Sequence, residues 1–112
     1  MPTADPELRR HIQRMEDQTG LPAGVVADEA LHRVAACYRE TQPGAPLPAV
    51  LVETQARRAL ADRLIEWAAD RYASDRTFAN RLAVAGGRKM LAEAMTDWIT
   101  DHLAADAADA PV

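Results

Sequence analysis

The chain has one cysteine, one lysine, one serine and only 4% aromatic residues. Each scarcity excludes something. A lone Cys37 cannot form an internal disulfide, which fits a reducing compartment and a simple buried thiol. The only serine, Ser74, has no base and orienting partner at a nucleophile's spacing, and it reads as a helix cap. His11, His32 and His102 do not recur at metal-ligand spacing with cysteine or aspartate, so surface histidines are the plain reading. No run of apolar residues is long enough for a membrane span, and Met1 to Arg10 lacks an apolar signal core. These absences predict a cytoplasmic, non-catalytic protein with no cofactor and no metal.

What is present is alanine, arginine and aspartate. Apolar residues make up 48% of 112, enough for one small domain with a modest core. Alanine supplies much of that fraction, and β-branched runs are nearly missing, so closely approached helices are favoured over sheets. Charge is unevenly spread over a net −4: residues 1–53 and 90–112 are acidic, while 54–89 is basic. The basic stretch holds Arg57, Arg58, Arg63, Arg71, Arg76, Arg81, Arg88 and Lys89, and 90–112 holds no basic residue.

The spacing predicts an all-α fold, a small bundle of four to five helices. Asp5 and Pro6 make a helix start, with a capping carboxylate before a proline at the first helical position. Leu8, Ile12, Met15 and Thr19 form a stripe that ends at Gly20 and Pro22, giving a helix over about 6–19. A second helix runs to about Glu40, with Val26, Ala30, Val34 and Cys37 along one side. Residues 6–40 are thus predicted as a helical hairpin. Pro43, Gly44, Pro46 and Pro48 make 41–48 a stiff linker to a longer helical segment, 49–104. There a helix over 49–72 carries Ala56, Leu60, Leu64, Trp67 and Ala68. Ser74 is positioned to cap the next, whose stripe is Phe78, Leu82 and Ala85. Gly86 and Gly87 together cost roughly 2 kcal/mol inside a helix relative to alanine, so a break is predicted there. A last helix over 88–104 carries Leu91, Met95, Trp98 and His102, and 105–112 reads as a flexible tail. The whole is predicted to be one domain.

Two groups of residues suggest partners. Arg57 and Arg71 lie along the same stripe as Leu60, Leu64 and Trp67, so they flank an apolar face, where guanidinium groups suit phosphate or carboxylate. Arg88 and Lys89 follow Gly86 and Gly87 at a helix start, an arrangement open to an anion or to a plain turn. The candidate nucleic-acid contacts are therefore Arg57, Arg58, Arg63, Arg71, Arg88 and Lys89.

Pro6, Glu7 and Leu8, then Thr19, Gly20 and Leu21, then Glu29, Ala30 and Leu31 resemble the two helices of ribbon-helix-helix DNA-binding proteins over about a third of the chain. The resemblance implies a dimeric DNA-binding regulator. The chain departs from that pattern in three places. Met1–Asp5 is short for the base-reading strand and contains Pro2, Pro22-Ala23-Gly24 stands where a phosphate-binding cap belongs, and Asp28 stands where a basic residue is common. Read as a helix-turn-helix, residues 25–29 offer no side chain that reads base edges before Arg33. In length, helix layout and basic middle, the whole chain resembles the small helical subunits of CRISPR effector complexes. That implies a non-catalytic assembly subunit whose arginines touch a nucleic-acid backbone. The implied partners are proteins of a larger complex, an RNA or single-stranded DNA backbone, and further copies of the chain, with no membrane. A helix-turn-helix or ribbon-helix-helix regulator is the alternative.

Overall fold

The computed structural model describes residues 6–109, with side chains through residue 105. Six helices account for nearly all of it: α1 Pro6–Thr19, α2 Ala23–Thr41, α3 Ala49–Val52, α4 Thr54–Ser74, α5 Arg76–Leu82 and α6 Gly87–Asp109. The fold is all-α, as the spacing predicted.

The turn between α1 and α2 is built from local polar groups. Gly20 takes φ +72°, a left-handed conformation that side chains oppose, and its N–H bonds back to the Glu16 carbonyl at 2.8 Å. The helix α2 begins after Pro22, which offers no side-chain cap. The Glu16 carboxylate takes that role, accepting the Ala23 N–H at 2.9 Å. A negative group there also faces the positive end of the helix. The proposed Asp5 cap lies outside the described residues.

The two ends of the chain share one core. The chief neighbour of α1 is α4, and α2 packs on α6 and α4. The first two helices are therefore not a self-contained hairpin, and the proline linker does not separate two bodies. Small residues on α2 (Ala23, Ala27, Ala30) are fully enclosed, which lets its backbone approach both neighbours closely. The larger buried side chains of those neighbours are Leu60 and Leu64 of α4 and Leu91, Met95 and Ile99 of α6. Each such side chain contributes about 1.5–3 kcal/mol on burial.

Several boundaries differ from the sequence reading. The helix predicted over 49–72 is broken at Glu53, which is extended at φ −74° and ψ 125°. Val50, Val52 and Thr54 are weak helix formers, and the break turns Leu51 into the core at 2% exposure. The cap of α5 is Asp75, whose Oδ1 accepts the Phe78 N–H at 3.1 Å; Ser74 instead donates to the Asp70 carbonyl. That bond from Phe78 is the main reason the Asp75 carboxyl is held below its ordinary value. Helix α5 stops at Leu82, so Ala85 is exposed and belongs to no stripe. The predicted break at the glycine pair is present: Gly86 takes φ +88°, and a Cβ on Gly87 would collide with the Leu82 carbonyl. The last helix continues past Ala104 to Asp109, and residues 110–112 of the proposed tail lie outside the described residues.

Candidate functional site

The six nominated basic residues divide into two kinds. Three are held within the chain. Arg57 is only 22% exposed; its Nη2 pairs with Asp28 Oδ1 at 2.7 Å, and its Nη1 donates to the Leu51 carbonyl at 3.1 Å. The same Nη2 lies 3.2 Å from His32 Nδ1. This guanidinium ties α4 to α2 and satisfies a carbonyl at the Glu53 break. The bond from Arg57 holds the Asp28 carboxyl below its ordinary value. Arg71 lies over the Phe78 ring at 4.5 Å and pairs with Asp75 at 3.4 Å. Arg88 reaches Glu29 at 3.4 Å, joining the start of α6 to α2.

The other three, Arg58, Arg63 and Lys89, are exposed and make no ion pair among the described residues. They do not converge. Arg58 and Arg63 are five residues apart on α4, which separates them by about 140° around the helix. A basic surface that sequence reasoning missed lies on α1, where Arg9 and Arg10 line a shallow hollow of about 400 Å³ with Pro6 and Gln13. The signal was available: positions 6, 9, 10 and 13 have the i, i+3, i+4, i+7 spacing of one helix face.

The two tryptophans meet each other. Trp67 and Trp98 stack at 6.1 Å, His102 stacks on Trp98 at 5.1 Å, and Phe78 meets the edge of Trp67 at 6.3 Å. With Arg71 over Phe78, this ladder crosses α6, α4 and α5 and closes the apolar surface between them.

A broader concavity lies on the side of α6 away from the tryptophans. A groove of about 670 Å³ lies between the second half of α2, the start of α3 and the second half of α6. Val34, Cys37 and Tyr38 form one wall, Pro48 and Val50 the second, and Thr96, Thr100 and Leu103 the third. Cys37 is therefore an exposed thiol and not the buried one that its stripe predicted. The wall threonines bring little polarity. Thr41 donates to the Cys37 carbonyl at 2.9 Å, Thr96 to Ala92 at 2.7 Å and Thr100 to Thr96 at 2.9 Å. Their hydroxyl protons are occupied on their own helices. The groove offers a largely apolar surface, with the Tyr38 hydroxyl and the Gln42 side-chain amide as its uncommitted donors.

Among the described residues, no group of three or more His, Cys, Asp or Glu could hold a metal ion. No helix among them is long and apolar enough to cross a membrane. No family model, curated protein or solved structure matches the chain.

Proposed function

We propose that the protein is a non-catalytic helical assembly subunit that packs against a partner protein within a nucleoprotein complex. The observation that carries the reading is the open apolar groove at the ends of α2 and α6, whose threonine hydroxyls are already bonded on their own helices. Such a surface gains free energy when a complementary apolar face covers it. Its unbonded polar groups, the Tyr38 hydroxyl, the Gln42 amide and the Cys37 thiol, have no histidine, carboxylate or basic side chain beside them in the groove lining to act as acid or base. In this reading, nucleic-acid contact belongs to Arg58, Arg63 and Lys89, because Arg57, Arg71 and Arg88 have acidic partners inside the chain. The small helical subunits of CRISPR effector complexes, which the chain resembles in length and layout, illustrate the kind of assembly meant. A cytoplasmic location is part of the same proposal.

The test is a tagged pull-down from host cells, with and without nuclease, for three proteins. These are the parent chain, a groove variant (Tyr38→Ala with Leu103→Ala), and a surface variant (Arg58→Ala, Arg63→Ala and Lys89→Ala). The parent should recover a stoichiometric protein complex, the groove variant should lose the protein partner, and the surface variant should lose only the nucleic acid. Recovery of the chain alone as a homodimer on one DNA locus, lost on substitution within residues 22–33, would replace this reading with the DNA-binding regulator.

A further inference from the structure

The other side of α6 holds a smaller hollow of about 240 Å³, between the end of α4, α5 and the first half of α6. Its walls carry opposite charge. Thr77 and Arg81 stand one turn apart on α5, and Glu93 and Asp97 stand one turn apart on α6. Phe78 and Met90 add apolar lining. Arg71 and Asp75 also reach the hollow, but they are taken up by each other at 3.4 Å, and the Arg71 guanidinium lies over the Phe78 ring at 4.5 Å.

The remaining charges of this hollow are unpaired. Elsewhere, opposite charges that meet across two helices close on each other, Arg57 on Asp28 at 2.7 Å and Arg88 on Glu29 at 3.4 Å. Arg81, Glu93 and Asp97 line one concavity, yet none of them makes an ion pair among the described residues. The Thr77 hydroxyl has no hydrogen-bond partner there either. Glu93 and Asp97 also repel each other, because like charges at i and i+4 are neighbours on a helix surface. A simple cation relieves those carboxylates but meets Arg81, and a simple anion does the reverse. One small molecule that carries both signs satisfies both walls.

We infer that the hollow binds a small zwitterion, a free α-amino acid with an apolar side chain. Its ammonium group lies on Glu93 and Asp97, and its carboxylate takes the Arg81 guanidinium and the Thr77 hydroxyl. Its side chain rests on Phe78 and Met90. The space falls below the roughly 300–1,000 Å³ of pockets that hold drug-sized ligands, so a nucleotide or a peptide segment is too large for it. A protein terminus, or a lone lysine or arginine side chain, brings one sign only and leaves the opposing wall unmatched. The inference stands apart from the assembly reading, whose groove lies on the other side of α6, and it gives the chain a small-molecule site of its own.

The experiment titrates the full chain with three probes. These are L-leucine, 4-methylpentanoate, which lacks the ammonium group, and 3-methylbutylamine, which lacks the carboxylate. Backbone amide shifts in two-dimensional NMR report both affinity and place. Leucine should give saturable shifts at residues 77–81 and 93–97, with a Kd below about 10 mM. Each analogue should bind at least about tenfold more weakly, because it leaves one wall unmatched. Arg81→Gln should bring leucine down to the affinity of the amine, and Glu93→Gln with Asp97→Asn down to that of 4-methylpentanoate. These three side chains are exposed and have no ionic partner among the described residues, so the thermal melts of the variants should stay close to that of the parent. Absence of saturable shifts up to about 100 mM leucine would overturn the inference. So would shifts confined to other residues, or an amine that binds as tightly as leucine, which would leave a plain acidic surface. The assembly reading has its own readout in the groove variant, because Tyr38 and Leu103 lie outside this hollow.

Discussion

The two sides of α6 handle apolar surface in opposite ways. On the side facing α4 and α5, Trp67, Trp98 and Phe78 close on one another, with Arg71 over Phe78 and Asp75 pairing with that arginine. On the side facing α2 and α3, Val34, Tyr38, Val50 and Leu103 line an open groove. The closed side uses side chains large enough to bridge helices. The open side uses alanine, threonine and valine, which leave space between helices that α3 and the linker do not fill. A chain this poor in aromatics has placed both tryptophans on one side, and this decides which side is finished within the monomer.

The sharpest way to break the comparison is to remove one large side chain from each side. Trp67→Ala should destabilise the protein by about 3–5 kcal/mol, whereas Tyr38→Ala should cost under about 1 kcal/mol because its groove is already open. Urea unfolding of the two variants against the parent measures the gap, and equal losses would mean that the groove is as closed in solution as the aromatic side. A smaller effect comes from the turn that launches α6. Gly87→Ala drives a methyl group into the Leu82 carbonyl, and a loss of about 1–3 kcal/mol is expected in a thermal melt. Third is the strut between the sides. Arg57→Met keeps much of the aliphatic stem but removes the bonds to Asp28 and Leu51, with an expected cost of about 1 kcal/mol. By contrast, Arg63→Met should fall within about 0.5 kcal/mol of the parent.

The smallest effect is on pH. The carboxyls of Asp28 and Asp75 sit below their ordinary value of 3.8 in the folded protein, held there chiefly by the Arg57 bond and the Phe78 N–H. A folded-state value below the unfolded one gives stability that is complete above that ordinary value. The contribution is lost as pH falls through it toward the lower folded value. Denaturant midpoints of the parent and of Asp75→Asn, compared at neutral pH and near pH 3, should therefore converge at the acid end. A gap that persists unchanged would assign the role of Asp75 to something other than its charge.

Much of the helical skeleton was readable because it is local. Gly20 and Pro22 stop one helix, the prolines of the linker stop another, and the Gly86-Gly87 pair separates α5 from α6. The break at Glu53 was not readable, because Val50, Val52 and Thr54 weaken the helix without showing that the glutamate between two of them gives way. That was decided by the burial of Leu51 and by a guanidinium arriving from Arg57. Ser74 and Asp75 are both competent caps, and a one-residue choice between them depends on how α4 ends. The candidate site was less legible still. Arg57 and Arg88 have the composition of a nucleic-acid contact, yet their acidic partners lie 29 and 59 residues away in sequence. No periodicity reports a pairing of that range. The groove was hidden for the same reason, since Val34, Val50 and Leu103 come from three helices whose arrangement only tertiary packing reveals.

The placement of α1 on α4 and of α2 on α6 has a consequence for how the chain acquires its shape. The first two helices, though adjacent in sequence, are not each other's chief neighbours in space, so they cannot nucleate a stable pair by themselves. Their partners are synthesised later, and loop closure across the proline stretch must precede docking. During translation the segment 6–41 therefore waits with its alanine-rich stripe uncovered, and cooperative burial begins only once α4 and then α6 have emerged. Residues 54–105 contain the aromatic ladder and the short-range contacts among α4, α5 and α6. They form the natural nucleus on which the earlier part of the chain condenses.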